Sequence, residues 1–462
     1  MSGDDAESDD SAAPDDRACP DAVGDFRPLR TDLRPVAEAV RAADADAFVA
    51  VGDRFDDDLR YLTRFSGPDR PSALVVVPSD DGATDRTGRA VLCAPALFRE
   101  QAEREFVESA RDADAPGGGG TGFHDGVVRE VRTENVGGHA GERAAAVVSG
   151  LVGSEEGEIG EGREEKEAGD ADYTVLTPAS VPHDAAVYLE RAGNELASTD
   201  AVAAARARKT PREVDRIRRV RRAAVAGIAR AETVLAESAV VDEAGDSRRS
   251  PLRWGGKPLT TERLRREVNA VLAARGVRDA GNTVIGAGPS AADLHYVGDG
   301  PVRPGETVLL DVSPRGPDGY YGDATRTFVV DGDGGWARRA SVAVEAAREA
   351  ALNEVEPGVP AKTVHGEAAA ELAAYGFDPN AGEGEAGFTH GTGHGVGVSL
   401  HESPSLSGAG ELRPGHVVTI EPGVYDPEVG GVRLEDAVVV TEEGYEILAA
   451  YPLGIVPESE SV

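Results

Sequence analysis

RPGETVLLD (303–311) recurs 110 residues later as RPGHVVTIE (413–421), and this repeat shows how the second half of the chain is organised. In both copies a short apolar run, typical of a buried strand, ends on an acidic residue: Asp311 in the first and Glu421 in the second. The match predicts an internal duplication in which equivalent strands carry equivalent carboxylates.

Other features around these strands also occur twice. A second acid follows each strand, Asp323 in the first copy and Glu435 in the second, and a histidine precedes each RPG, His295 or His401. Two helical patterns precede each set of strands, and the first of them opens with the capping sequence Thr210-Pro211-Arg212-Glu213. The repeated unit is therefore predicted to be helix, helix and strands.

The sequence before this duplication has a different pattern. Short apolar runs such as AFVAV (47–51) and SALVVVPS (72–79) alternate with helical patterns, which predicts an α/β domain over residues 26–205. The second domain is predicted to span 206–456, and the acidic start of the chain, 1–25, is predicted to be a disordered tail.

Two stretches of low complexity interrupt the N-terminal domain. They are the glycine-rich DADAPGGGGTG (112–122) and the acidic GSEEGEIGEGREEKEAGDAD (153–172). Both compositions are typical of solvated surface loops, and neither is given a function.

Composition excludes several classes of partner. Over 462 residues, 83 acidic and 48 basic side chains give a formal net charge of −35, which disfavours nucleic acid and anionic membrane surfaces. No apolar run approaches the roughly 18 residues of a membrane span, and the acidic start differs from a secretory signal. Two cysteines, Cys19 and Cys93, cannot form a disulfide framework. We therefore expect a soluble, cytoplasmic protein.

The basic residues are almost all arginine, because only four of the 48 are lysine. An acid excess with few lysines resembles proteins from salt-loving microbes. There the screening length falls to about 3 Å at 1 M salt, so a dense negative surface is tolerated. A GC-rich genome is the alternative explanation of the arginine content.

The acids of the duplication need partners, because buried carboxylates are costly unless a cation neutralises them. In GVRLEDAVVVT (431–441), alternation along one strand would place Arg433 and Glu435 on one face and Asp436 on the other. Together with an imidazole from HGTGHGVGVSLHE (390–402), the carboxylates suit Mn, Co or Zn, and the lack of cysteine ligands argues against structural zinc. Four acids exceed what one ion needs, so two metal ions bridged by carboxylates are predicted.

Five motifs now resemble those of the pita-bread metallopeptidases, which include aminopeptidase P, prolidase and methionine aminopeptidase, with creatinase as a non-metal relative. They are HGTGHGVGVSLHE, TIEPGVY (419–425), GVRLED (431–436), LLDV (309–312) and GDATRTF (322–328). The resemblance spans about 206–450. It implies an α+β pita-bread catalytic domain with internal duplication, behind an α/β creatinase-like N-terminal domain.

The resemblance also implies a set of metal ligands. Asp311 would bind one metal ion, His394 and Glu421 would bind the other, and Asp323 and Glu435 would bridge the two. Of the divalent ions that suit such ligands, Mn or Co is favoured, with Zn as the further candidate.

Catalytic roles follow from the same resemblance. Glu421 would act as the general base for the attacking water, and His295, His390 and His401 would line the pocket, bind substrate and stabilise the tetrahedral intermediate. For His390, a histidine that only shapes its loop is an equally weighted alternative.

The resemblance leaves the remaining candidates less closely defined. Arg433 would tether the Glu435 side or contact substrate, whereas His365 and His416 match no motif and are expected to be ordinary packing or surface residues. The sequence also departs from the family pattern, because Ser313 follows Val312 where glycine is usual and the two aspartates are one residue further apart than usual.

An N-terminal domain of this size favours the proline-specific branch over methionine aminopeptidase, an analogy of architecture. The sequence thus predicts a dinuclear metal-dependent Xaa-Pro aminopeptidase, which cleaves peptides before a proline in second position. The alternative is an Xaa-Pro dipeptidase (prolidase). A creatinase-like carbon–nitrogen hydrolase or a non-catalytic binding module ranks lower, because their signature would be lost ligands. The family suggests a homodimer acting on peptide substrates.

Overall fold

The computed structural model describes residues 28–79, 87–108, 125–134, 138–155, 173–240, 250–332, 334–382 and 384–459. The predicted tail (1–25) and the glycine-rich stretch (112–122) lie outside these ranges. So does the acidic stretch beyond residue 155. Predictions for those segments therefore remain predictions.

The N-terminal half is a six-stranded mixed sheet covered by helices. Its strands are β1 (Ala47–Gly52), β2 (Ser72–Pro78), β3 (Gly88–Pro95), β4 (Val127–Glu134), β5 (Tyr173–Pro178) and β6 (Asn194–Thr199). Its helices are α1 (Arg34–Ala42), α2 (Asp57–Thr63), α3 (Arg99–Ala102), α4 (Ala140–Glu155), α5 (His183–Arg191) and α6 (Ala201–Ala207). A 3₁₀ turn (Ala96–Phe98) and a π-helical turn (Glu103–Glu108) flank α3.

The strand order is β4-β3-β2-β1-β5-β6, with β2 antiparallel to both of its neighbours and the outer pairs parallel. The central strands are continuous apolar runs because helices cover both faces of the sheet. In β1, Phe48 and Ala50 face one cluster with α1, whereas Val49 and Val51 face another with α4 and α5. The expected α/β architecture is present.

The C-terminal half contains two sets of helices and strands. The helices are α7 (Pro211–Ala236), α8 (Thr261–Ala274), α9 (Gly335–Asn353) and α10 (Ala361–Ala374), with a 3₁₀ turn at Gly288–Ala292. The main strands are β9 (Thr283–Ala287), β10 (Thr307–Val312), β11 (Ala324–Val329), β12 (His394–Gly395), β13 (Glu402–Ser405), β14 (Val417–Ile420), β15 (Gly423–Asp426), β16 (Gly430–Arg433), β17 (Asp436–Val440) and β18 (Tyr445–Ile447). A short hairpin, β7 (Arg253–Trp254) and β8 (Lys257–Pro258), precedes α8.

The predicted duplication is visible in the strand pairing. Strand β10 pairs with β9 and β11, and its equivalent β14 pairs with β12 and β17, all antiparallel. Helices α7 and α8 pack on the first set and α9 and α10 on the second. Helix α7 begins at the predicted capping box, with Thr210 Oγ1 accepting from the Glu213 backbone N–H at 3.4 Å.

One predicted strand is in fact two. GVRLEDAVVVT divides into β16, which ends at Arg433, and β17, which begins at Asp436. They belong to different sheets, because β16 pairs with β15 and β17 pairs with β14 and β18. Glu435 therefore lies in the link between two sheets rather than inside one alternating strand.

The two halves share a core. Leu62 and Phe65 from the N-terminal half lie in one buried cluster with Val396, Val398 and Val417 from the C-terminal half. No helix among the described residues is long and apolar enough to cross a membrane.

Candidate metal centre

The five candidate ligands lie at strand ends. Asp311 is the penultimate residue of β10, and Asp323 immediately precedes β11. His394 opens β12, Glu421 directly follows β14, and Glu435 directly precedes β17. Because these strands pair antiparallel around the duplication, their ends meet at one place.

Distances show how closely these side chains approach. Ligand atoms of Asp311, Asp323 and Glu435 all lie within 4.8 Å of one another. His394 Nε2 lies 3.2 Å from Glu421 Oε1 and 3.7 Å from Asp323 Oδ2. The structure thus brings all five candidates together, while their separate roles as terminal or bridging ligands stay predictions.

The donor set fits divalent metal ions. Glu435 is 1% exposed; its Oε2 accepts a 2.7 Å hydrogen bond from Thr325, but its Oε1 has no hydrogen-bond partner among the described residues. Burial and the neighbouring Asp323 carboxylate raise the pKa of Glu435 well above its usual range. Burial and Asp311 raise the pKa of Asp323 to about 7. A divalent cation would relieve this repulsion and satisfy the orphaned oxygen.

Glu421 and His394 form an ion pair beside this cluster. Burial opposes ionisation of Glu421, but the hydrogen bond and charge of His394, together with the charge of Arg433, outweigh burial and lower the pKa of Glu421 to about 2. Against the effect of burial, the same hydrogen bond raises the pKa of His394 to about 9. His394 Nδ1 lies 3.1 Å from the Gly395 carbonyl oxygen. That contact assigns a proton to Nδ1 and directs Nε2 into the site as the ligand atom.

Arg433 contacts Asp311 directly and Glu435 indirectly, while its alternative role, contact with substrate, stays a prediction. Its Nη2 contacts Asp311 Oδ2 at 2.6 Å, and its Nη1 donates to the Tyr425 hydroxyl at 3.0 Å. It reaches the Glu435 side only through Thr325, whose Oγ1 accepts from Arg433 Nε at 3.3 Å and donates to Glu435. The residue therefore braces Asp311 directly rather than Glu435, because β16 lies against β10.

His390 lies behind this arginine. Its Nε2 is 2.7 Å from the Tyr425 hydroxyl, and its Nδ1 is 2.7 Å from the Gly391 carbonyl oxygen. Burial lowers the pKa of His390 to about 4, so the ring is neutral at pH 7. A neutral ring that donates from Nδ1 accepts the Tyr425 proton at Nε2. The contacts Asp311–Arg433–Tyr425–His390 thus connect the carboxylate cluster with the loop that carries His390.

The two remaining histidines are exposed. The His401 ring centroid lies 4.2 Å from that of His394, edge to face. Burial and then His394 lower the pKa of His401, and His295 contributes in the same direction. His295 follows the 3₁₀ turn Gly288–Ala292 and is also exposed. The His401 ring therefore lies beside the candidate ligands, both rings are open to solvent, and the substrate-binding role of each stays a prediction.

Several functional neighbours were not predicted from sequence. Asp436 is 1% exposed and binds three arginines: Arg221 at 2.8 Å, Arg326 at 3.0 Å and Arg348, whose Nε lies at 2.7 Å. Arg326 Nη1 also donates to the Glu435 carbonyl at 2.6 Å. This cluster fixes the backbone at Glu435. In the sequence, the only sign of this arginine cluster was the pair of adjacent acids in LED.

Ser313 explains how the chain accommodates its unusual aspartate spacing. Its Oγ donates to Asp323 Oδ1 at 2.7 Å and lies 3.1 Å from Asp311 Oδ1. The serine therefore links the two aspartates across the longer connection. His365 and His416 have structural contacts, with Thr392 Oγ1 at 2.9 Å and with the Arg413 backbone N–H at 3.2 Å.

This geometry agrees with a comparison of known families. Residues 215–442 match the model of metallopeptidase family M24. These residues are therefore similar to the M24 metallopeptidases. All five candidate ligands lie inside the matched residues, and the prediction of a metallopeptidase is confirmed at that level.

Individual relatives agree with the family. The chain is similar to the probable dipeptidase PepE of Mycobacterium tuberculosis, 33% identical over 181 residues, which cover 38% of this chain and 46% of the relative. It is similar to the Xaa-Pro dipeptidase of Pyrococcus horikoshii, 36% identical over 170 residues, covering 36% and 46%. The matches thus span about half the length of these curated relatives.

A solved structure extends the likeness to both domains. The prolidase from Pyrococcus horikoshii OT3 superposes with a TM-score of 0.67 at 21% identity, covering 92% of this chain and 99% of that one. At this identity the match shows the fold alone. The predicted fold class, an α/β domain followed by a pita-bread domain, is confirmed.

Proposed function

We propose that this M24 protein is a metal-dependent Xaa-Pro dipeptidase, which was the alternative in the sequence analysis, rather than an Xaa-Pro aminopeptidase. The observation that carries the proposal is the convergence of five metal-ligating side chains within the M24 residues. The Pyrococcus horikoshii relative is named an Xaa-Pro dipeptidase, which supports the choice of dipeptidase over aminopeptidase.

In this proposal, Asp311, Asp323, His394, Glu421 and Glu435 would hold two divalent ions. Bound ions would supply Lewis-acid polarisation of the peptide carbonyl and would lower the pKa of water. The absence of cysteine among these ligands favours Mn or Co, with Zn as a third candidate.

Side chains of the protein would orient the attacking water, accept its proton and bind the substrate. Glu421 would remain a carboxylate at neutral pH, because a bound divalent ion favours its ionised form, and it would orient the attacking water and take its proton as the carbonyl is attacked. His401 and His295 would donate hydrogen bonds to a substrate oxygen. Neutral His390, fixed by Tyr425, keeps its part of the pocket free of a further positive charge.

A substrate panel separates the two activities. Purified, metal-reconstituted protein is assayed with Ala-Pro, Leu-Pro and Leu-Ala dipeptides and with Ala-Pro-Ala, following released amino acids by chromatography. A dipeptidase cleaves Ala-Pro and Leu-Pro well above the tripeptide. Preferential release of Ala from Ala-Pro-Ala supports the aminopeptidase instead, and the Glu435→Gln variant controls for contaminating peptidases.

Two further expectations complete the proposal. We propose that the protein forms a homodimer, as the resemblance suggests, and that it works in the cytoplasm, as expected from its composition. Light scattering coupled to size exclusion, run at low and molar KCl, measures the oligomeric mass. Creatine hydrolysis, measured on the same preparation, tests the creatinase-like alternative, which predicts urea release.

A further inference from the structure

His401 is carried by a loop that has little structure of its own. The loop, residues 396–401, joins β12 to β13, and the His401 ring itself is exposed. The first part of the loop is held by the buried side chains of Val396 and Val398 and by the Tyr321 N–H, which donates to the Gly397 carbonyl oxygen at 2.8 Å. Closer to His401, the contacts are polar and are made by the residues on either side of it.

Asp57, from the N-terminal domain, provides one of these contacts. Its Oδ2 accepts a hydrogen bond from Ser399 Oγ at 2.6 Å, two residues before His401. Its Oδ1 accepts from Arg315 Nη2 at 2.7 Å. Arg315 belongs to the connection between Asp311 and Asp323, and the same nitrogen lies 3.4 Å from the Val398 carbonyl oxygen. One carboxylate thus joins two active-site loops.

The hydrogen bonds at Ser399 have a defined direction. Arg206 Nη2 donates to Ser399 Oγ at 3.0 Å, so the hydroxyl accepts from the arginine and gives its own proton to Asp57. Arg206 Nη1 also pairs with Asp58 at 2.9 Å. Both acceptor carboxylates come from the first turn of α2, which starts where it does because Asp56 caps it, accepting from the Leu59 N–H at 2.7 Å.

The other side of His401 is fixed at Glu402. Glu402 pairs with Lys209 at 2.6 Å, and the two side chains are 3% and 1% exposed. Arg206 Nε, from α6, lies 3.6 Å from the same carboxylate, so this arginine contacts residues on both sides of His401. His401 is therefore held between two anchored neighbours, and Asp57 holds the Ser399 side from the N-terminal half.

We propose that Asp57 is a positioning residue of the active site, through which the N-terminal domain holds the His401 loop against the connection between Asp311 and Asp323. The inference rests on the proposed peptidase function, because positioning matters only if His401 contacts substrate. It adds a residue outside the M24 match to the working site, and it gives the N-terminal domain a direct part in the chemistry.

Two variants test the proposal, with a matched control. Asp57→Ala and Ser399→Ala should each lower kcat about 10- to 100-fold, the scale of a small misplacement of a catalytic group. Asp57→Asn, which can still accept one hydrogen bond, should lose less. Combined, the two alanine changes should cost less than the sum of their separate losses, because both break the Asp57–Ser399 contact. The control is Glu267→Gln. The side chains of Arg230 and Glu267 are 33% and 32% exposed, which is similar to the exposure of Asp57, and their ion pair joins α7 to α8.

A second readout does not use activity. Hydrogen exchange of the amides in 396–403 should be roughly tenfold faster in Asp57→Ala, as expected when one anchoring hydrogen bond is lost, and unchanged in Glu267→Gln. If the wild-type protein cleaves no Xaa-Pro peptide, the proposed function fails, while exchange still reports on the anchor. Two results would overturn the positioning role of Asp57. One is hydrogen exchange that is unchanged in Asp57→Ala. The other is a kcat that falls only in proportion to the folded fraction, as measured by the melting curve.

Discussion

Arg433 Nη2 lies 2.6 Å from Asp311 Oδ2, and this contact joins the two copies of the duplication at the metal centre. The arginine is 3% exposed and also holds Tyr425 and Thr325, so one guanidinium orients groups on three strands. Arginine suits this role because its planar donors point in several fixed directions, which a lysine ammonium does not reproduce.

Replacement of Arg433 by lysine should therefore preserve charge but lose orientation. We expect turnover to fall on the order of 10²-fold, the scale of a misplaced catalytic group, while the fold is retained. Arg433→Met should in addition lower the melting temperature, because it leaves the Asp311 carboxylate without its partner. Steady-state kinetics and thermal melts of both variants check this. A lysine variant with wild-type turnover would show that charge alone is needed.

Removal of an acid that is predicted to bridge two metal ions should change metal content. Asp323→Ala and Glu435→Ala are each expected to abolish activity and reduce bound metal from two ions per chain towards one or none, because each would contact both ions. Elemental analysis after dialysis measures the ratio. Asp318→Asn, an acid in the same connection that pairs with Arg216 at 2.9 Å, serves as the control and should keep both ions. Two ions per chain in either alanine variant would remove that residue from the bridging role.

His401→Ala should separate catalysis from metal binding. If its ring donates a hydrogen bond to the developing oxyanion, turnover should fall about 10²–10³-fold while both metals and the fold are kept. Metal content, melting temperature and turnover are measured on one preparation. A residue that only packs its loop would instead lower stability and leave turnover per folded molecule nearly intact.

Glu213 should make stability depend on pH. Burial opposes its ionisation, but Arg64 and the Tyr320 hydroxyl, at 2.8 and 2.5 Å, lower the pKa of Glu213 in the folded state. The stabilisation is therefore complete above the unfolded pKa of about 4.3 and is lost as pH falls through the lower folded pKa. Glu213→Gln should cost about 3 kcal/mol at pH 7, because it leaves Arg64 buried beside a neutral group, and the difference should shrink below about pH 4. Urea unfolding at pH 7, 5 and 3.5 tests this, and a difference that is constant with pH would contradict it.

Salt should stabilise the whole protein. With a formal net charge of −35, repulsion among acidic side chains is screened weakly at about 0.1 M salt and strongly at about 1 M. We expect the melting temperature to rise steadily from 0.1 M-scale to molar KCl. If the melting temperature does not change with KCl concentration, a GC-rich genome would be the better explanation of the composition.

Much of the site could be predicted from sequence because its signals are local. Asp311 and Glu421 each end an apolar strand within a repeat, and the capping box at Thr210 needs only four consecutive residues. Period-two and helical patterns likewise define most of the elements around them. The expected order of elements in both copies is accordingly present in the structure.

Partners across the fold were decided only by tertiary structure. Arg433 contacts Asp311 rather than Glu435, and Asp436 binds arginines from α7, β11 and α9. Alternation also failed at Leu434, where the chain leaves one sheet for another. The physical reason is that periodicity records how a residue relates to its own element. Which charges meet depends on how separate elements pack, and many arginines along this chain could have paired with any of these acids.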